Sequence, residues 1–229
     1  EQNCLFIDSQ GFHRKFALHL PLDFQTFQQQ AGVHDRQCTW PMLLYLHGTG
    51  GSSFLNHSKK NLKSVGINHA ADKFIVVSPM CDWNWKEVPK PWVRELALAL
   101  RAASWVDHNR IYVSGCSMGG MSTWEVAADQ PNIFAAIAPV AGHHQEQREA
   151  YIANRLLSTP CCVVHSQVDE TCLWNLEEPL WQKIAQQNPE FELQASKGID
   201  HCSMFEKAYC DDVFIFDWLL RFRRKDGSG

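Results

Sequence analysis

The sequence lacks the features that mark membrane and secreted proteins. It has no run of about 18 uncharged apolar residues, which a membrane-spanning helix needs. It also has no basic N-terminal segment followed by an apolar one, so no signal peptide is visible. We therefore expect a soluble protein, preferably cytoplasmic. Because the chain begins at Glu1 rather than Met, a removed leader and secretion stay open.

Charge and cysteine spacing exclude further classes. The net charge is only −4 with interspersed signs, which argues against nucleic-acid binding. No Cys-x-x-Cys pair and no His/Cys group with zinc spacing occurs, so we expect neither a metal nor an organic cofactor. The nine cysteines are many for this length, but adjacent Cys161 and Cys162 in an apolar strand favour reduced thiols. One or two disulfides involving Cys4, Cys38 or Cys81 are the alternative.

The pattern of apolar residues predicts the fold class. A hairpin through Gly11 is expected first, followed by continuous apolar runs that are typical of strands covered on both faces. These runs lie at 42–46, 74–78, 111–114, 135–140, 161–165 and 191–195. Helical patterns lie between or after them at 61–71, 92–104, 118–129, 176–187 and 211–223. The alternation predicts an α/β fold with a mostly parallel, doubly wound sheet, whose active residues lie at the carboxyl ends of the strands.

One domain accounts for the whole length. A chain of 229 residues with 45% hydrophobic content can bury a single sizeable core, and no repeat or second domain is visible. We expect this domain to span residues 1–225, followed by a flexible tail or cloning remnant at 226–229.

The strand at 111–114 runs directly into Gly115-Cys-Ser-Met-Gly119, which has the pattern Gly-x-Ser-x-Gly. The two glycines leave room for a tight strand-to-helix turn that projects the middle serine above the sheet on a strained backbone. Ser117 is therefore the candidate nucleophile, and a purely structural glycine-rich turn is the alternative. The same geometry predicts that Cys116 points away from the site and packs in the core.

A serine nucleophile needs a histidine base and an acid, in the chain order Ser, acid, His. His201 is the histidine that follows the last apolar strand, and we expect it in a polar loop that leans over Ser117. Asp169 follows an apolar strand at the same sheet edge and is the predicted acid. Glu170 and Asp200 are the alternatives.

The oxyanion of an acyl-transfer intermediate needs two backbone donors. The N–H of Met118, directly after the nucleophile, is the first candidate. The second should come from the glycine-rich loop at 46–51, where Thr49 is preferred and Gly50 comes next. This loop lacks the Gly-Lys-Ser/Thr ending of a phosphate-binding loop. We expect His47 to support the loop through hydrogen bonds.

Together with the segment 134–142, these motifs resemble the compact α/β-hydrolase esterases over roughly residues 40–222. The best match is the phospholipase/carboxylesterase-like group, near the polyhydroxybutyrate-depolymerase-like and feruloyl-esterase-like enzymes. The resemblance implies a single-domain α/β-hydrolase fold without a large cap domain. It also implies a serine esterase that forms an acyl-enzyme with the triad Ser117, Asp169 and His201.

The sequence departs from that group at two places. Ser166 stands where such enzymes often have glycine, which could shift the acid loop, meaning the loop that follows the strand at 161–165 and carries Asp169. His143-His144 occupies a loop that usually has small residues. His143 is therefore a candidate substrate contact, although paired loop histidines are commonly just solvated.

The substrate is expected to be a small-molecule ester. The connection between Val140 and Cys161 has room for one small helix rather than a cap, which predicts an open site. Trp83, Trp85 and Trp92 are candidate substrate walls, with core packing as the alternative. Two rival functions stay open, namely a serine peptidase or amidase of the prolyl-oligopeptidase type and a noncatalytic ligand-binding hydrolase fold.

Overall fold

The computed structural model of this chain describes residues 2–26, 39–49, 65–81 and 91–224. Eight strands lie in this part of the chain: β1 (Gln2–Ile7), β2 (His13–His19), β3 (Trp40–Leu46), β4 (Ile75–Pro79), β5 (Val106–Cys116), β6 (Ala136–Val140), β7 (Cys161–Ser166) and β8 (Phe191–Ser196). They form one sheet in the order β1-β2-β4-β3-β5-β6-β7-β8. Each predicted apolar run corresponds to one of these strands, with β5 beginning earlier than expected.

The sheet is antiparallel at one edge and parallel elsewhere. β1 and β2 form the predicted hairpin, with Gly11 at φ 82° in the turn, and β2 also runs antiparallel to β4. The remaining pairs, from β4 through β3, β5, β6 and β7 to β8, are all parallel. The prediction of a mostly parallel, doubly wound α/β sheet is confirmed.

Helices cover both faces of the sheet. They are α1 (Val65–Lys73), α2 (Pro91–Arg101), α3 (Met118–Asp129), α4 (Glu149–Arg155), α5 (Trp174–Ala185), α6 (His201–Glu206) and α7 (Phe214–Leu220), with a 3₁₀ turn at Glu146–Arg148 and a π-helical turn at Lys207–Asp211. Leu44 and Leu46 of β3 pack toward the layer of α2 to α5, whereas Leu43 and Tyr45 pack toward the layer of α1, α6 and α7. This two-sided burial explains why the run at 42–46 is continuously apolar.

The prediction of one helix over 211–223 is wrong in its bounds. The regular helix α7 spans only Phe214–Leu220, and α6 with the π-helical turn precedes it. Asp212 has an extended backbone, and its carboxylate accepts a hydrogen bond from the N–H of Phe214 at 2.9 Å. Such a local side-chain bond favours a turn over a continuing helix.

The described cysteines agree with the reduced-thiol prediction. Cys4, Cys81, Cys116, Cys161, Cys162, Cys172, Cys202 and Cys210 carry thiols rather than disulfide bonds. Cys38 lies outside the described residues, as does the segment 225–229. Across the described ranges, no helix has the length and apolar character that crossing a membrane requires.

Candidate active site

Ser117 occupies the turn between β5 and α3, at the carboxyl edge of the sheet. Its backbone has φ 55° and ψ −120°, a strained conformation for a residue with a side chain. A Cβ atom on Gly115 would lie 2.5 Å from the carbonyl oxygens of Leu46 and Gly119, and one on Gly119 would overlap the Leu46 carbonyl. Both flanking positions therefore require glycine, as the spacing predicts.

The structure brings Ser117, His201 and Asp169 together in a hydrogen-bonded chain. His201 Nε2 lies 2.9 Å from Ser117 Oγ, and His201 Nδ1 lies 2.6 Å from Asp169 Oδ2. The Asp169 side chain has no exposed surface, whereas that of His201 is 12% exposed. The ring of Phe205 packs edge-to-face against His201 with 4.8 Å between ring centroids. A partly open imidazole thus bridges a hydroxyl and a fully buried carboxylate.

His201 is the first residue of α6, so the prediction that it lies in a polar loop is wrong. Asp200 caps this helix by accepting hydrogen bonds from the N–H groups of Cys202 and Ser203, each at 3.0 Å. The hydrogen bonds from Ser203 and Cys202 also lower the pKa of Asp200. Asp200 therefore fixes the start of the helix. Aspartate is a favoured cap residue, so the sequence carried a signal for this helix.

The second oxygen of Asp169 is held by its own loop. Oδ1 accepts hydrogen bonds from the N–H groups of Thr171 and Cys172, both at 2.8 Å. The neighbouring Glu170 is exposed. Ser166, the residue that replaces the usual glycine, is buried, and its Oγ accepts a hydrogen bond from the N–H of Val168 at 3.3 Å. The hydroxyl is accommodated while the acid reaches His201.

The glycine-rich loop after β3 lies against the serine turn. A Cβ atom on Gly48 would lie 3.3 Å from the Cys116 carbonyl oxygen and 3.4 Å from Ser117 Cβ. His47 Nδ1 donates to the Gly48 carbonyl oxygen at 2.7 Å, and its Nε2 accepts from the N–H of Cys81 at 2.9 Å. His47 thus ties the loop to the end of β4. Thr49 comes next and is exposed, while Gly50 lies outside the described residues.

Cys116 packs away from the reacting face, as predicted. Its side chain is buried with the residue 1% exposed, and Sγ lies 3.4 Å from the Tyr45 hydroxyl. Burial raises the pKa of the thiol to about 11, so it is uncharged at neutral pH. An uncharged, buried thiol is a poor nucleophile.

The two histidines after β6 have different surroundings. His143 Nδ1 lies 3.4 Å from Cys172 Sγ, which places its ring beside the acid loop. His144 is buried and hydrogen-bonded to Glu177, so the alternative that both histidines are solvated is wrong for His144. Burial alone would lower the pKa of His144, but the hydrogen bond and charge of Glu177, together with Glu149, raise it. The sequence carries no local signal for this contact, because its partners are 33 positions apart in the chain.

The aromatic wall is only partly described. Trp83 and Trp85 lie outside the described residues. Trp92 is 5% exposed and belongs to the apolar core on the α2 to α5 side of the sheet, where Arg14 lies over its ring at 5.6 Å. Core packing accounts for this side chain. Among the described residues, no three His, Cys, Asp or Glu side chains are arranged to hold a metal ion.

Sequence comparisons relate part of the chain to hydrolases. The profile of the prolyl oligopeptidase family matches residues 81–154. The putative esterase NocK of Nocardia uniformis subsp. tsuyamanensis is 32% identical over 117 residues, which are 44% of this chain and 33% of that protein. The bifunctional acetylxylan esterase/xylanase XynS20E of Neocallimastix patriciarum is 30% identical over 108 residues, which are 44% of this chain and 16% of that protein. This chain therefore spans a third or less of these two relatives.

The fold comparison covers nearly the whole chain. The crystal structure of an S-formylglutathione hydrolase from Staphylococcus aureus superposes with a TM-score of 0.73 at 15% identity, covering 96% of this chain and 95% of that one. At this identity the likeness speaks for the fold alone. Taken with the strand order, this superposition shows that the chain has the α/β-hydrolase fold.

Proposed function

We propose that this protein hydrolyses carboxylic esters of small molecules through an acyl-enzyme formed on Ser117. The observation that carries the proposal is the chain of two hydrogen bonds, at 2.6 and 2.9 Å, from Asp169 through His201 to Ser117. Nucleophile, base and orienting acid in such contact are the recurring arrangement of serine hydrolases on unrelated folds.

In the acylation step, His201 Nε2 takes the proton of Ser117 while Oγ attacks the carbonyl carbon of the ester. The carbonyl oxygen becomes an oxyanion, and we assign its stabilisation to the backbone N–H groups of Met118 and Thr49. Met118 begins α3, where the helix dipole favours negative charge. Thr49 lies on the loop whose Gly48 contacts the serine turn.

Collapse of the intermediate breaks the bond to the alcohol. His201 gives the proton to the leaving oxygen, and the alcohol departs while the acyl group stays on Ser117. A water molecule then takes the place of the alcohol, His201 removes its proton, and attack on the acyl-enzyme releases the acid. Asp169 stabilises the imidazolium in both halves without taking the proton itself.

Ester hydrolysis is preferred over peptide hydrolysis because the names of the two curated relatives both refer to esterases. The matched family profile is that of prolyl oligopeptidases, which keeps amide hydrolysis as the second candidate. The same triad performs either reaction, so the leaving group decides between them. Matched p-nitrophenyl ester and p-nitroanilide substrates with the same acyl group separate these candidates.

The central test is covalent labelling with a fluorophosphonate probe. We expect the wild-type protein to be labelled on Ser117 and Ser117→Ala to stay unlabelled. Cys116→Ala is the matched control, because it changes the adjacent buried side chain, and it should be labelled like wild type. Wild-type protein that is folded but not labelled would instead support a noncatalytic ligand-binding protein.

A further inference from the structure

His165, near the carboxyl end of β7, is a buried residue to which the proposed chemistry assigns no part. Its side chain has no exposed surface and contacts the acid loop. Nε2 lies 2.8 Å from the carbonyl oxygen of Cys172. Because a carbonyl oxygen can only accept, the proton is on Nε2 and His165 is the donor.

Cys172 is also the residue whose N–H holds the acid. Its N–H donates to Asp169 Oδ1 at 2.8 Å, while its carbonyl oxygen accepts from His165. One residue of the loop is therefore bonded on one side to the carboxylate and on the other to the imidazole of the strand below. Loss of the bond to His165 would free the Cys172 peptide and weaken one of the two N–H bonds that hold Asp169 Oδ1, the other being that of Thr171.

The imidazole of His165 is itself held in place. Trp174 and Trp181 of α5 pack against the ring edge-to-face, with centroid distances of 6.1 and 5.1 Å. The two indole rings also pack edge-to-face on each other, with 4.8 Å between their centroids. The ring is thus fixed between β7 and α5, and its Nε2 is aimed at the loop that carries Asp169.

The charges around His165 favour a neutral donor. Nε2 lies 3.9 Å from Asp169 Oδ2, and Glu177 and His201 are the other titratable groups whose charge acts on the ring. Burial lowers the pKa of His165 despite the two carboxylates. A neutral imidazole gives a hydrogen bond to the loop without placing a second positive charge beside the Asp169–His201 pair.

We infer that His165 is a positioning residue that acts through Cys172 to hold Asp169 in the orientation that His201 requires. This inference rests on the proposed esterase function. It predicts that loss of the Nε2–H donor impairs the chemical step, because a displaced carboxylate no longer orients or stabilises the His201 imidazolium.

Two amide side chains provide matched variants. In His165→Gln the amide nitrogen can occupy the position of Nε2 and still donate to Cys172. In His165→Asn the side chain is too short by one bond and the donor falls nearer the position of Nδ1. His165→Leu is a second variant without a donor, in case the asparagine variant does not fold.

The experiment measures kcat, KM and the pH profile of kcat/KM with p-nitrophenyl acetate, and the melting temperature of each variant. For a folded variant without the donor, we expect kcat to fall by roughly 10- to 100-fold with little change in KM. The midpoint of the kcat/KM profile should move to lower pH, because the imidazolium loses support from the carboxylate. His165→Gln should recover most of kcat and the wild-type midpoint.

A merely structural role gives a different result. It would lower the melting temperature of the donor-free variants while leaving kcat and the pH midpoint unchanged, and this would overturn the inference. A glutamine variant that is as impaired as the asparagine or leucine variant would also overturn it. Ser117→Ala in the same assay separates the two proposals, because activity that survives that substitution contradicts the esterase mechanism itself.

Discussion

Glu177 binds His144 twice, through the backbone N–H at 2.7 Å and through Nδ1 at 2.8 Å. Both side chains are almost fully buried, and Glu149 Oε2 lies 3.6 Å from the other ring nitrogen. The pair joins the loop after β6, which carries His143, to the first turn of α5, which follows the acid loop. The two loops that flank the proposed site are thereby fixed to each other.

Glu177→Gln should destabilise the protein in a pH-dependent way. Removing one partner of a buried ion pair typically costs about 3–5 kcal/mol, because the other charge is left uncompensated. The pKa of His144 is raised in the folded state, so its contribution is complete below the pKa of an unfolded histidine and is lost as pH rises through the folded value. The stability difference between wild type and Glu177→Gln should therefore be larger at pH 6 than at pH 9.

Urea unfolding of both proteins at the two pH values measures this difference. Glu178→Gln, at the next and less buried position, is the control and should change stability little at either pH. A difference that grows between pH 6 and pH 9 would contradict a pKa of His144 that is raised in the folded protein.

Glu125→Gln should stabilise the protein at neutral and higher pH, because the ionised Glu125 carboxylate is buried and destabilises the folded state. Glu125 lies on α3 and is 1% exposed, and burial raises its pKa to about 7 even though Arg148 is adjacent. Because folding raises the pKa of this carboxyl, its contribution to stability is fully present below the pKa of an unfolded glutamate. That contribution is lost as pH rises toward 7. Between pH 5 and pH 8, the glutamine variant should gain on the order of 2–3 kcal/mol relative to wild type. Thermal unfolding of both proteins across that pH range measures this gain. A stability difference that does not change with pH would contradict the raised pKa of Glu125.

Ser117→Ala and His201→Ala should each abolish nearly all turnover without unfolding the protein. The effects of groups that act as one unit are strongly non-additive, and removing such a nucleophile or base has cost about 10⁶-fold in kcat in one serine protease. The double variant should therefore lose little more than either single one. Steady-state kinetics on p-nitrophenyl acetate, with circular dichroism as the folding control, tests this. Losses that multiply in the double variant would mean that the two residues act independently.

Asp169→Asn should impair catalysis far more than Glu170→Gln. An amide at position 169 favours the wrong imidazole tautomer, and such a change has cost about 10⁴-fold in kcat in a comparable triad. Glu170 is exposed, whereas the Asp169 side chain is fully buried and bonded to His201. The two variants remove the same charge from adjacent positions, so their kcat values isolate orientation from net charge. The reverse ranking would move the acid one residue along the chain.

The central strands and the turn at Ser117 can be predicted from the sequence, for physical reasons. Runs such as 42–46 and 161–165 are diagnostic because both faces of a central strand are buried, so no polar residue interrupts them. The turn at Ser117 can also be predicted, because backbone contacts at Gly115 and Gly119 leave no space for a side chain and therefore require glycine. The glycine requirement is visible in the sequence as the Gly-x-Ser-x-Gly spacing, although part of the backbone that imposes it, at Leu46, belongs to another strand.

Long-range polar contacts have no such local signature. The bond between His144 and Glu177 joins residues 33 positions apart, and neither flanking sequence distinguishes it from two solvated side chains. The apolar pattern also could not separate a wall from a core position at Trp92, because an indole near a sheet edge suits both. Only the packing of α2 on the sheet assigns this residue to the core.

The proposed site should prefer short acyl groups in monomeric esters. The connection from β6 to β7 forms only the 3₁₀ turn at 146–148 and α4, and Ile152 and Ala153 of α4 are buried in the core between α3 and α5. This segment is therefore committed to the sheet face and does not provide a lid over Ser117. We expect kcat/KM for p-nitrophenyl acetate or butyrate to exceed that for the palmitate ester by roughly tenfold or more. Activity on tributyrin should follow dissolved substrate without a jump when droplets form, and a sharp rise at the solubility limit would show that a mobile cover exists elsewhere in the chain.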